Sequence, residues 1–157
     1  MKSLLRITTV LALFVTLSAC GGETNTPDKK TSTATAKSES ELTSFQLEHG
    51  IGPVVEPITL GELNMEWVEK GRAIFEMKCE MCHSMDNRVV GPALGDVLEK
   101  RTPTYVMNMI LNPGEMTKKH PEAKKLLQEY MSIMPFQNVE REDARAIVEF
   151  LRTQSDS

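Results

Sequence analysis

Cys79-Glu80-Met81-Cys82-His83 restricts the fold of this chain more than any other run of residues. Two thiols three positions apart can each add across one vinyl group of a haem, and the imidazole beside the second thiol then reaches the iron as proximal ligand. A chain committed to that chemistry builds its core around a large apolar body. Other uses of the pair fit less well. A dithiol redox centre wants a βαβ setting, and strand signals are sparse here. A structural zinc needs four ligands, and the further histidines, His49 and His120, fall in segments that read as surface loops. Of the three cysteines, Cys20 stands apart, so no thiol remains for a structural disulfide.

The N-terminal end has a different task. Lys2 and Arg6 precede an uncharged apolar run, Ile7 to Leu17, too short for a bilayer that needs ~20 apolar residues. A short apolar run ending in small residues is a secretion signal. Leu17-Ser18-Ala19-Cys20 resembles a bacterial lipobox. That resemblance implies a signal peptide over residues 1–19, with Cys20 as the lipidated first residue of the mature chain. Residues 20–44 are rich in Ser, Thr, Lys and Glu and cannot bury enough surface to offset their ordering entropy. They read as a disordered tether with an r.m.s. span of roughly 25–30 Å. Without Lys2 and Arg6, the 18 basic residues become 16 against 22 acidic ones, a net of −6. That balance excludes nucleic acid as a partner.

Residues 45–61 carry Gly50, Gly52, Pro53 and Pro57 and read as an extended arm. The globular domain covers residues 62–154. Its helical signals are clear. One helix runs from about Asn64 to Lys78 and leads into Cys79. A short one follows Pro92. A third has Thr102 as cap and Pro103 at its first position, and ends before Pro113. A fourth begins at Pro121, with Ala123, Leu126, Leu127, Tyr130 and Met131 on one face. The last starts near Asn138, with Ala144, Ile147, Val148 and Leu151 at helical spacing. The expected fold is all-α, with about five helices around one covalent haem.

The domain resembles the class I c-type cytochromes. Three features match in order: Gly71-Arg72-Ala73-Ile74-Phe75 before the cysteines, Val90-Gly91-Pro92-Ala93-Leu94 after them, and Met134-Pro135-Phe136 before the last helix. Gly71 lets the first and last helices approach, and Phe75 and Phe150 fill their crossing. The resemblance implies haem c on Cys79 and Cys82, with His83 as proximal ligand. It also implies that the Pro92 carbonyl accepts the other N–H of His83. Met134 is the expected distal ligand, closing the iron and raising its potential relative to a second imidazole. Met131, Met107, Met109 and Met116 lack the Met-Pro-aromatic context, and His120 would make a low-potential site. Arg101 and Tyr105 are candidate donors to a haem propionate; for Tyr105 core packing is an equal alternative, and Trp67 leans to the core. Lys118, Lys119, Lys124 and Lys125 form a basic cluster, either a solvated face or a docking patch for an acidic partner.

The expected function follows: a membrane-tethered, one-electron carrier in an extracytoplasmic respiratory chain, lipid-anchored to the cell envelope, with redox proteins as partners. It is not expected to be an enzyme. A second haem motif, as in dihaem peroxidases, is absent. The rival is a gas-binding or catalytic haem with an open iron position. Four-helix gas-binding cytochromes carry their motif near the C-terminus, whereas 74 residues follow His83 here.

Overall fold

The computed structural model describes residues 41–154. Cys20, the 1–19 leader and most of the 20–44 tether therefore lie outside the described residues. Within them the chain is all-helical, with seven helices and no strand.

Two helices far apart in sequence form the backbone of the domain. α2 (Met65–Lys78) starts where the Asn64 side chain accepts from the backbone N–H groups of Glu66 and Trp67. α7 (Arg141–Arg152) crosses it. At the crossing Gly71 lies against the Ala146 carbonyl, with no room for a side chain between the two backbones. Phe75 and Phe150 meet beside it with ring centroids 5.4 Å apart. Both are buried, and burying such a ring contributes about 1.5–3 kcal/mol. Buried Glu149 is accommodated on α7 by two intrahelical partners, Arg145 at 2.6 Å and Arg152 at 2.7 Å. The crossing agrees with the sequence pattern, but α7 starts three residues later than its spacing suggests. Asn138 takes a left-handed conformation at φ 50°, which a helix interior cannot contain, and the helix begins after Glu140.

The middle of the chain contains α3 (Val97–Lys100), α4 (Pro103–Leu111), α5 (Pro113–Lys119) and α6 (Pro121–Tyr130). The last three each begin with proline, whose fixed φ and missing N–H suit the first helical turn. Pro113 ends α4 as expected, and it also starts α5, a helix absent from the five expected. Met131 requires a further correction. Its spacing assigns it to the buried stripe of α6, but it is the left-handed C-cap of that helix (φ 51°) and is 85% exposed. A non-glycine residue in that conformation costs on the order of 1 kcal/mol.

The arm expected to be extended over 45–61 opens instead with a helix, α1 (Ser44–His49), held by a reciprocal capping box between Thr43 and Gln46. Beyond it the arm lies along α4 and is bonded by side chains. Buried Asn108 accepts from the Val54 N–H and donates to the His49 and Val54 carbonyls, each at 3.0 Å. Thr104 accepts from the Ile58 N–H at 2.8 Å, and Asn112 donates to the Ile51 carbonyl at 3.1 Å. His120 is no surface-loop residue: it is 1% exposed. Its Nε2–H donates to the Leu47 carbonyl at 3.1 Å, and its Nδ1 accepts the Glu122 N–H at 3.2 Å. His49 likewise is tied down, with Nδ1 2.9 Å from the Thr102 hydroxyl. Asn108→Ala leaves three arm backbone groups without this partner. At about 1–3 kcal/mol per stranded buried group, we expect a total loss of about 3 kcal/mol, read as a lower urea midpoint.

Candidate haem site

α2 stops at Cys79, and the next residues turn tightly. The N–H groups of Cys82 and His83 both donate to the Cys79 carbonyl, at 3.0 and 2.9 Å. The turn gathers both thiols and the imidazole at one end of the helix. The following loop folds back over them, with Gly91 N–H donating to the Cys82 carbonyl at 2.9 Å and Leu94 N–H to the Ser84 carbonyl at 2.9 Å. Gly91 rests on the His83 ring so closely that an added Cβ would sit 2.9 Å from Nδ1 and closer still to Cε1. The glycine therefore lets the loop reach the imidazole. Pro92 then presents its carbonyl 2.9 Å from His83 Nδ1. A carbonyl can only accept, so Nδ1 carries the proton and the Nε2 lone pair is left for another partner.

These residues line a cavity of about 660 Å³, a size typical of sites for whole prosthetic groups and drug-sized ligands. Cys79, Cys82, His83, Pro92, Arg101, Tyr105 and Met134 all reach its wall. The expected haem-attachment, ligand and propionate residues thus converge on one space. Cys20, the expected lipidation site, lies outside the described residues. Trp67 is not on the wall; the Arg145 guanidinium lies 5.5 Å from its ring. Most of the wall is apolar. Leu126, Leu127 and Tyr130 contribute to it, so the apolar stripe of α6 faces the cavity. Lys78 and Gln137 also line it, and no sequence signal singles them out.

Two polar details test whether the cavity suits a haem. Burial pushes the Cys79 thiol up to about 11. That is opposite to the lowered value a redox-active dithiol uses and leaves an un-ionised thiol beside an apolar space. The hydroxyl of Tyr105 is buried on the cavity wall without a hydrogen-bond partner among the described residues. A buried orphan donor costs about 1–3 kcal/mol, and a propionate reaching it would supply the acceptor. Burial raises the Tyr105 pKa, and the nearby Arg101 charge works the other way. Arg101 is itself engaged by Glu122 at 2.9 Å. Among the described residues no three His, Cys, Asp or Glu side chains gather as a metal-binding group, so the zinc reading finds no donor set. His120 is equally unsuited to the iron, since both ring nitrogens are occupied.

The basic cluster is largely answered locally. Lys119 and Lys118 lie 2.7 and 3.7 Å from Glu115, and Lys125 lies 2.7 Å from Glu122. Such pairs suit a solvated face, the plainer of the two readings.

The family model described as Cytochrome c matches residues 68–155. Among solved structures, cytochrome c from Rhodothermus marinus is 41% identical, covering 71% of this chain and 96% of its own, with a TM-score of 0.67. An engineered Rhodothermus marinus cytochrome c, Rma TDE, is 40% identical over 71% of this chain and 97% of its own, also at 0.67. The same engineered protein bound to a carbene intermediate is 41% identical over the same shares, at 0.65. No curated protein sequence matches significantly. With the helices, the Cys-x-x-Cys-His turn and the apolar cavity, these matches place the chain in the cytochrome c family, as a class I c-type cytochrome whose covalent haem c makes it an electron carrier.

Proposed function

We propose that this cytochrome is a membrane-tethered one-electron shuttle of an extracytoplasmic respiratory chain. Cys79 and Cys82 form the two thioethers, His83 Nε2 takes the proximal iron position, and Met134 takes the distal one. The carrying observation is His83, whose Nδ1–H is committed to Pro92 at 2.9 Å and whose Nε2 is left for iron, on a cavity that Met134 also lines. Haem supplies the one-electron redox chemistry when bound. The protein's share is to orient the imidazole, keep water out with an apolar wall, and offer Tyr105 and Arg101 to the propionates.

A lipidated Cys20 and a flexible 20–44 tether would hold the domain at high local concentration beside donor and acceptor proteins. Cytochrome c domains are typically extracytoplasmic, and no helix among the described residues is long and apolar enough to cross a membrane. Radiolabelled palmitate incorporation, lost in Cys20→Ser, tests the anchor.

The first experiment on ligation is an optical spectrum of the purified holoprotein, oxidised, reduced, and then exposed to carbon monoxide. We expect the weak red-end band that marks methionine–iron bonding in this family, and no response to carbon monoxide. Met134→Ala should lose the band, bind carbon monoxide, and drop in potential by on the order of 100 mV, within the ~0.8 V that axial ligation spans. If that variant keeps the wild-type potential and still refuses carbon monoxide, Met134 is not the ligand. A second reading, an open iron that takes exogenous ligands, draws on the segment carrying Met134. No backbone–backbone hydrogen bond holds residues 132–139 among the described residues. A wild-type protein without the band that binds carbon monoxide would favour it.

A further inference from the structure

The segment between α6 and α7 is the least supported part of the cavity wall. It has no regular structure, and left-handed residues, Met131 and Asn138, stand at its two ends. Val139 is buried, but Met131, Ile133, Pro135 and Phe136 are exposed. Its internal hydrogen bond, Gln137 Nε2 to the Pro135 carbonyl at 3.3 Å, ties it to no other element.

One cation reaches the segment itself and a second reaches the last turn of α6, from which the segment departs. Lys78, the last residue of α2 and the neighbour of Cys79, donates from Nζ to the Gln137 carbonyl at 3.1 Å. Among the described residues it pairs with no carboxylate, so this backbone carbonyl is its partner in place of an ion pair. Arg88, in the loop that carries Gly91 and Pro92, donates from Nη2 to the Glu129 carbonyl at 3.0 Å. Its guanidinium also lies over the Tyr130 ring, 4.2 Å from the centroid. The two carbonyls bracket Met134, one five residues before it and one three after. A charged donor on a carbonyl is stronger than a neutral one, and Lys78 is half-buried, which reduces screening.

The geometry points to Lys78 and Arg88 as positioning residues on the side of the chain that carries the cysteines and His83: Lys78 holds the segment carrying Met134 beyond that residue, and Arg88 holds the end of α6 from which the segment departs. The clamp keeps Met134 on the cavity wall in spite of a segment without backbone bonds. It rests on the reading of Met134 as distal ligand for its effect on the iron, but not for its effect on the segment.

The test uses the full-length holoprotein with Lys78→Met, Lys78→Arg and Arg88→Gln. Three properties are read: the red-end band against temperature, carbon monoxide association with the reduced protein, and the rate of chymotryptic cleavage after exposed Phe136. Lys78→Met removes the donor and keeps the bulk. It should speed both carbon monoxide binding and cleavage by roughly tenfold, the effect of one charged hydrogen bond, and lose the band at a lower temperature. Lys78→Arg should stay within about twofold of wild type, because the cation is restored. Arg88→Gln should move cleavage in the same direction by about threefold, the weaker effect of an exposed donor that holds the end of α6. Unchanged cleavage in Lys78→Met overturns the clamp, whatever the iron does. A wild-type protein that lacks the band while Lys78→Met is still cleaved faster overturns Met134 ligation and leaves the clamp standing. Should Lys78→Met not acquire haem, Arg88→Gln, away from the cysteines, decides the matter through cleavage: faster cleavage supports the clamp and unchanged cleavage overturns it.

Discussion

Gly71→Ala should lower the melting temperature of the holoprotein by about 15 °C. Helix propensity alone predicts the reverse, since alanine is favoured over glycine by about 1 kcal/mol in a helix interior. Packing decides the sign. The new Cβ would overlap the Ala146 carbonyl and sit 2.9 Å from the Ile147 nitrogen. Those atoms are backbone of α7 and have no rotamer with which to give way, so α2 and α7 must move apart along the contact that also seats Phe75 on Phe150. Overpacking of a core costs about 1–3 kcal/mol, and a backbone collision belongs at the upper end. At about 4–8 °C per kcal/mol for a domain of this size, about 3 kcal/mol gives the stated shift. Calorimetry of the holoprotein reads it, and a melting temperature at or above wild type would show that the two helices can separate at little cost.

The double variant Cys79→Ser, Cys82→Ser should yield a chain without covalent haem and without a fixed tertiary structure. The argument is volumetric. Voids in a core cost about 24 cal/mol per Å³, so a space of about 660 Å³ left dry would cost on the order of 16 kcal/mol, an upper figure because it opens to solvent. A domain commands only about 5–15 kcal/mol in all. Its walls must therefore collapse or the helices separate. Near-ultraviolet circular dichroism should be lost, with much of the far-ultraviolet helical signal surviving. Either single variant keeps one thioether and should retain some covalent haem. A double variant with sharp native tertiary signals would mean that haem is no part of the core.

Much of this arrangement is legible in the chain. The haem motif, the Gly71 crossing, the Thr102 cap with Pro103, and the α6 start at Pro121 depend on neighbours within a few positions, and local rules read them. Pro92, Arg101, Tyr105 and Met134 come from family resemblance, and the fold brings all four to the cavity wall. What is not legible depends on partners distant in sequence or on rarer conformations. His120 reads as a loop residue because nothing local shows that Leu47, 73 positions away, accepts its proton. Asn108 sits inside a helix without announcing that it binds an arm 54 positions upstream. Met131 continues the α6 stripe by spacing, yet the chain turns left-handed there. The capping box of α1 is present in Thr43 and Gln46, but Gly50, Gly52, Pro53 and Pro57 just beyond it disguise the helix as the start of an extended arm. Pro113 carries two messages, stop and start, and the stop is the easier to see. Lys78 and Gln137 carry no signal at all, because a lysine next to a backbone carbonyl leaves no pattern.

The pairing of α2 with α7 also sets a timetable. A chain made from its N-terminus completes α2 and the two cysteines early, while the helix that must lie against Gly71 ends at Arg152, 70 residues beyond Cys82. An exported chain, as proposed above, would enter its compartment in the same N-to-C order. Until α7 arrived, α2 would lack its partner, the cavity would lack the wall that Ile147 and Leu151 supply, and both thiols would stand open to whatever attaches the haem. Docking of the last helix would then close the site. The order of elements along the chain thus leaves the cysteines open until the last helix that encloses them.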